Sequence, residues 1–330
     1  MTRPTARAGL AALALAALLA LAACGPTGSD SDRVDPTAQP VYPQVTSYPE
    51  IPVIQDIPYG TADGAPLLLD ACFPADADID DPGSPPRASI VVIHGGSWQH
   101  GDKANLNWRS VCQWLASEGF VAVSVNYRLV PTATFPAQLD DVQDAVRWLR
   151  DPAQVLRYNL DPDRIGAFGG SAGGNLSALL GTVGSGPWTD DARVAAVADL
   201  SGPVDLRKPI RTTDSYNQDF AQVVLDYLGC TTYADCPGVA KASPVFLADE
   251  TDPPFFVAHS TDEFIPIKQS DELVAALRDH GVDTTYVTVA GSPHSIAMLD
   301  DDLRTRIITF FRDKLGQNAI ELAPSPQPGE

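Results

Sequence analysis

From Ile51 onward the chain alternates short apolar runs with longer amphipathic stretches. Ser89–Ile93, Val121–Val125, Arg164–Phe168, Val194–Leu200, Phe255–Ala258 and Thr284–Val289 are short and mostly apolar or β-branched, the pattern of strands buried on both faces of a parallel sheet. Between them, Ser110–Glu118, Gln138–Arg150, Ala172–Leu180, Ile267–His280 and Asp302–Leu315 repeat apolar residues at helical spacing. Strands alternating with helices predict a doubly wound α/β fold with a mostly parallel sheet. Ile51–Pro58 and Leu67–Phe73, separated by Ala62-Asp63-Gly64, predict an antiparallel N-terminal hairpin on one edge. Functional sites of such sheets gather at the carboxyl ends of the strands.

The two ends depart from this pattern. Arg3 and Arg7 precede fourteen apolar residues from Leu10 to Ala23, followed by Cys24. This is the layout of an export signal, and the apolar run is short of the ~20 residues that span a bilayer. Residues 1–23 are therefore expected to be removed, with residues 24–50, rich in Pro, Ser, Thr and Asp, as a flexible tether. Residues 316–330 read as a frayed tail. The remaining stretch, 51–315, is of a size that one core can organise.

Losing Arg3 and Arg7 leaves 20 of the 22 Lys and Arg against 42 Asp and Glu, a net charge of −22. Such a surface repels phosphate, so nucleic acid is not an expected partner. Four cysteines follow the leader, at 72, 112, 230 and 236. In an oxidising compartment the close Cys230/Cys236 pair is the natural disulfide, and Cys72/Cys112 follows by elimination. Cys112, in an apolar helical stretch, reads equally well as a free core thiol. No cluster has metal-ligand spacing, so neither a metal nor another cofactor is expected.

The chemistry concentrates at Gly169-Gly170-Ser171-Ala172-Gly173, a G-x-S-x-G placed between an expected strand and an expected helix. A strand reversing sharply into a helix strains its turn residue and needs small neighbours, and it exposes the serine at a helix N-terminus. A serine nucleophile needs a base, an acid to orient the base, and donors for an oxyanion. His294 follows the last expected strand and is the expected base, while His280 reads as a helix cap and His259 as a core histidine. Asp262 follows the preceding strand and is the expected acid, with Glu263 as its neighbouring rival and Asp199 as a more distant one. His94-Gly95-Gly96-Ser97 follows the Ser89–Ile93 strand. Consecutive glycines there let backbone N–H groups turn toward a ligand, and the Ala172 N–H completes the hole. His94 reads as a brace for this loop.

These motifs resemble the α/β-hydrolase fold superfamily, and within it the bacterial esterases and lipases similar to hormone-sensitive lipase and to feruloyl-esterase-like carboxylesterases. The resemblance rests on His94-Gly95-Gly96 with Gly101-Asp102-Lys103, Asn126-Tyr127-Arg128-Leu129 with Phe135-Pro136-Ala137, Ser171-Ala172-Gly173-Gly174, Asp262 through Pro266, and His294. It implies a Ser171–Asp262–His294 triad acting through an acyl-enzyme, with Gly96, Ser97 and Ala172 as oxyanion donors and Gly95 as the hinge of their loop. Ser97, where relatives often carry glycine or alanine, narrows the acyl pocket. Arg128 with Asp140 or Asp141 resembles a structural ion pair. The Leu21-Ala22-Ala23-Cys24 ending resembles a lipoprotein signal, which implies a lipid anchor on Cys24 and an exported, membrane-attached protein.

The expected substrate is a small-molecule ester. Residues 203–244, with Tyr216, Phe220 and Tyr227, make a modest cap, and a shallow cleft suits short-chain or aromatic esters. Trp98, Trp188 and Phe264 are candidates for its walls. Because the base must be neutral, kcat/KM should fall as pH drops through the imidazole range, about 6.5 for a free side chain. Other readings are a peptidase or amidase on the same triad, a non-catalytic surface-displayed binding protein on this scaffold, and a haloperoxidase-like or lyase activity.

Overall fold

The computed structural model describes residues 46–75, 85–208, 210 and 217–316. The leader, Cys24, most of the expected tether, Tyr216 and all but the first residue of the expected tail lie outside these. The described elements are β1 (Val53–Ala62), β2 (Ala65–Cys72), β3 (Arg87–Ile93), α1 (Leu106–Ser117), β4 (Val121–Val125), α2 (Ala137–Arg150), α3 (Pro152–Tyr158), β5 (Leu160–Gly170), α4 (Ala172–Thr182), β6 (Ala196–Leu200), α5 (Asn217–Leu228), β7 (Phe255–Ser260), α6 (Lys268–Asp279), β8 (Thr284–Val289) and α7 (Asp301–Lys314).

The strands form one eight-stranded sheet in the order β1-β2-β4-β3-β5-β6-β7-β8. β1 and β2 pair antiparallel around the Asp63-Gly64 turn, and β2 joins β4 antiparallel. Every other pairing is parallel. This is the α/β-hydrolase fold, with the hairpin on the expected edge. Two apolar layers cover the sheet. One joins Val91, Ile93, Val123, Val142, Leu176 and Val197 beneath α2 and α4, and the other joins Ile90, Val92, Cys112, Phe168, Phe256 and Phe311 beneath α1 and α7. Central strands flanked on both sides have no use for polar alternation, which is why β3, β4 and β6 read as continuous apolar runs.

Two helices escape the sequence pattern. α3 is only seven residues long, too short for a hydrophobic period. Its signals are local: the Asp151 side chain accepts from the N–H groups of Ala153 and Gln154, Pro152 opens the first turn, and Asn159 closes it in a left-handed conformation. α5 lies inside the 203–244 stretch, where Phe220, Val224, Tyr227 and Leu228 join the first of these apolar layers.

Both disulfides form. Cys72–Cys112 joins the end of β2 to α1, and Cys230–Cys236 closes a small loop after α5, so Cys112 is not a free thiol. Arg128 donates to both oxygens of the buried Asp141, which selects Asp141 over Asp140 as its partner.

Candidate active site

β5 ends at Gly170 and α4 begins at Ala172, so Ser171 alone makes the reversal, at φ 57° and ψ −124°. An L residue held there stores roughly 1–3 kcal/mol. The crowding is severe: a Cβ on Gly169 would stand 2.0 Å from Gly173 O, and one on Gly173 would stand 2.0 Å from Ile93 O. Glycines at these two positions are what let strand, turn and helix approach. The Ser171 N–H is anchored on Leu200 O at 2.9 Å, at the carboxyl end of β6.

The loop after β8 reaches the same rim. Ser295 donates its N–H to Ser201 Oγ at 3.2 Å, one residue beyond the Leu200 that holds Ser171. A Cβ on Gly170 would lie 2.0 Å from Ser295 Oγ. Ser171 and His294 flank that contact, so Gly170 and Ser295, 125 positions apart, bring the two backbone segments to one rim. The Ser260 hydroxyl donates to Pro293 O and ties this loop to the end of β7.

The carboxylate that meets His294 Nδ1 is Glu263 Oε2. This corrects the expected acid. Asp262 is exposed, and among the described residues its carboxylate accepts from Thr261 Oγ1 alone, at 2.8 Å, while its backbone N–H donates to Gly291 O. On this turn Thr261 and Asp262 are both exposed and Glu263 is buried, so one step along the chain decides which carboxylate is inside. Burial by itself would push Glu263 up, but the imidazoles of His259 and His294 outweigh it and hold the carboxyl down at about 2. His294 Nε2, the nitrogen turned away from Glu263, is buried and has no hydrogen-bond partner among the described residues. Asp199, the other rival, is fully buried against Gly202 N–H at 2.9 Å, and burial pushes it up to about 7.

Gly96, Ser97 and Ala172 lie where the sequence puts them, in the loop after β3 and at the first residue of α4. None of their N–H groups has a backbone acceptor among the described residues. Gly96 has φ 119°, and a Cβ there would lie 2.2 Å from His100 O; that carbonyl-side crowding fixes the turn. Gly95 packs directly against the elbow, beside Gly170 O and the Ser171 side chain. His94 is held within the same loop. Its Nδ1 meets Gly95 O at 2.8 Å, and its ring stacks on Tyr127 at 4.4 Å. The Tyr127 hydroxyl donates to His94 O. Burial drives His94 down to about 4, so it is neutral at pH 7.

The chain matches the family model described as BD-FAE over residues 78–277. The chain belongs to the BD-FAE family. It is 31% identical over 263 residues to Esterase LipQ and 31% identical over 225 residues to Esterase LipC, both of Mycobacterium tuberculosis. Those stretches cover 77% and 65% of this chain but 59% and 54% of the relatives, so the chain spans a little over half their length. Among solved structures, a thermophilic esterase from Thermogutta terrifontis superposes with a TM-score of 0.64 at 24% identity, covering 83% of this chain and 96% of that one. A truncated carbohydrate esterase from gut microbiota superposes with a TM-score of 0.65 at 23% identity, covering 85% and 99%. These likenesses carry the fold.

The rim of this BD-FAE chain is partly aromatic. Phe264 packs on the His294 ring at 4.3 Å and on Phe220 of α5 at 5.9 Å. Trp98 is fully buried, stacked on Tyr227 of α5 at 4.0 Å, so it ties the 203–244 stretch to the glycine loop and presents no free wall. Trp188 lies beyond the C-terminal end of α4, with its indole N–H on Thr251 O ahead of β7, toward the amino ends of the strands and away from the Ser171 rim. Asn175, one turn into α4, donates to Pro203 O and Ala242 O and so fixes both ends of the insertion to the elbow helix. Among the described residues no three His, Cys, Asp or Glu gather to hold a metal ion.

Sequence reasoning named Glu263 only as the rival of Asp262 for the place beside His294. Two adjacent carboxylates on a turn are equivalent by residue type and by chain order. One available signal was the four-residue spacing from His259 to Glu263, which places both on one side of a tight turn.

Proposed function

We propose that the chain is a serine carboxylesterase that hydrolyses short-chain or aromatic esters through an acyl-enzyme. The observation that carries this reading is the strained Ser171 at the elbow, on the same rim as a His294 whose Nδ1 is held by the buried Glu263. In this reading His294 Nε2 takes the Ser171 proton as the oxygen attacks the ester carbonyl. Glu263 holds the imidazole and stabilises its cation. The N–H groups of Gly96, Ser97 and Ala172 take the oxyanion, and the alcohol leaves with the proton from His294. Water activated by His294 then releases the acid.

The esterase names of LipQ and LipC support ester hydrolysis, and the Thermogutta esterase is known with propionate and with butyrate bound, which supports a short acyl group. The aromatic pair Phe264 and Phe220 beside His294 supports an aromatic substituent. The test is turnover of p-nitrophenyl acetate, butyrate and palmitate, with Ser171→Ala and labelling of Ser171 by a fluorophosphonate. Acetate or butyrate should be preferred, and Ser171→Ala should abolish both turnover and labelling. Preference for palmitate sinks the shallow cleft, and turnover that survives Ser171→Ala sinks the mechanism.

We also propose that the mature protein is exported and lipid-anchored through Cys24, on the strength of the leader sequence. Incorporation of labelled palmitate that persists in Cys24→Ala would overturn this.

A further inference from the structure

His259 has no part in the mechanism above, yet it is fully buried one turn from its acid. Its Nδ1 lies 2.7 Å from Ser270 Oγ on α6. Its Nε2 lies 2.8 Å from Ile265 O and 2.8 Å from Glu263 Oε1. Both neighbours of Nε2 are acceptors, so that nitrogen carries hydrogen. The bond is aligned on Ile265 O, and Glu263 Oε1, although 2.8 Å from Nε2, has no aligned hydrogen-bond donor among the described residues. The remaining charged group facing this ring is Asp199, at the end of β6.

We propose that His259 is a positioning residue for the reaction: its Nε2–H closes the 259–265 turn on Ile265 O, and that turn, with the buried ring 2.8 Å from Glu263 Oε1, holds Oε2 on His294 Nδ1. This rests on the esterase reading. A carboxylate on a surface turn has several rotamers, and only one serves the imidazole. A buried imidazole packed against the other oxygen selects that rotamer, and α6, through Ser270, holds the ring. The chain therefore runs from Ser270 to His259, Glu263 and His294 before it reaches Ser171.

The test is a double-mutant cycle of His259→Gln with Glu263→Gln on p-nitrophenyl acetate, with rates normalised to sites titrated by a fluorophosphonate so that only folded enzyme counts. Since a misplacement of about 1 Å can cost about 10²-fold, His259→Gln should lower kcat roughly 10–100-fold with KM unchanged. In the Glu263→Gln background the same change should cost no more than about twofold, because residues acting as one unit are not additive. Additive losses, a loss confined to KM, or an unchanged kcat would overturn the proposal. Should His259→Gln give no folded protein, Ser270→Ala must show the same dependence on Glu263 in weaker form, a few-fold loss that vanishes in Glu263→Gln. Full activity in Glu263→Gln itself would instead overturn the triad, so the two failures are distinct.

Discussion

The sharpest prediction contrasts two neighbouring acids, Asp262→Asn and Glu263→Gln. Each change removes one negative charge and keeps nearly the same volume, and the positions are adjacent. Glu263 is buried with one oxygen on His294. Replacing it by an amide removes the charge that stabilises the imidazolium and offers Nδ1 a group of either polarity. An acid-to-amide change in a serine hydrolase triad costs about 10⁴ in kcat, or about 5 kcal/mol at 1.36 kcal/mol per factor of ten. Asp262 is exposed, and its side-chain bond to Thr261 is replaceable by an amide oxygen. Its structural contribution, the N–H on Gly291 O, is backbone and survives substitution. An exposed charge is worth about 0.5 kcal/mol, which is roughly twofold in rate. Initial rates on p-nitrophenyl acetate, with melting curves to establish folding, give the comparison directly. A collapse in Asp262→Asn beside an active Glu263→Gln would refute the assignment and restore the sequence-based acid.

Further outcomes follow from the same geometry. Gly96→Ala, at φ 119° and with a Cβ 2.2 Å from His100 O, should cost about 10²–10³ in kcat by displacing oxyanion donors; wild-type kcat would show that these N–H groups are not used. Asp199→Asn should raise Tm more at pH 8 than at pH 5. Its carboxyl is pushed up to about 7 by burial, so the stability of the neutral form is present below about 4 and lost as pH rises through about 7; an equal gain at both values would contradict this. Removing the Cys72–Cys112 disulfide, which closes a separation of 40 residues, should cost about 4 kcal/mol and lower Tm by roughly 10 °C, measured by calorimetry of Cys72→Ala/Cys112→Ala. Asn175→Leu keeps volume but deletes both donors to the insertion, and should raise KM and loosen proteolytic resistance of residues 203–244, read by limited proteolysis.

The one-dimensional pattern carried the architecture because buried parallel strands and amphipathic helices advertise themselves locally. β4 and β8 coincide with the apolar runs to the residue, and the elbow is legible because a strand–serine–helix reversal demands glycine at fixed offsets. The Cys230–Cys236 pair followed from spacing, whereas the sequence left Cys112 open between a free thiol and the Cys72–Cys112 pair that the structure shows. Short α3 was missed because seven residues are too few for a period, although its cap was written in Asp151-Pro152.

Tertiary structure decided what depends on direction rather than order. Asp262 and Glu263 are one bond apart in chemistry and opposite in orientation, and only the packing of the β7 turn against His259 and the β8 loop turned one inward. The same packing sealed Trp98 beneath Tyr227, put the Trp188 indole on Thr251 O ahead of β7, and set His259 2.8 Å from Glu263 Oε1. A sequence fixes which side chains arrive at a rim; which of them face each other is set by rotation about a few backbone bonds, and those are decided by contacts between segments far apart in the chain.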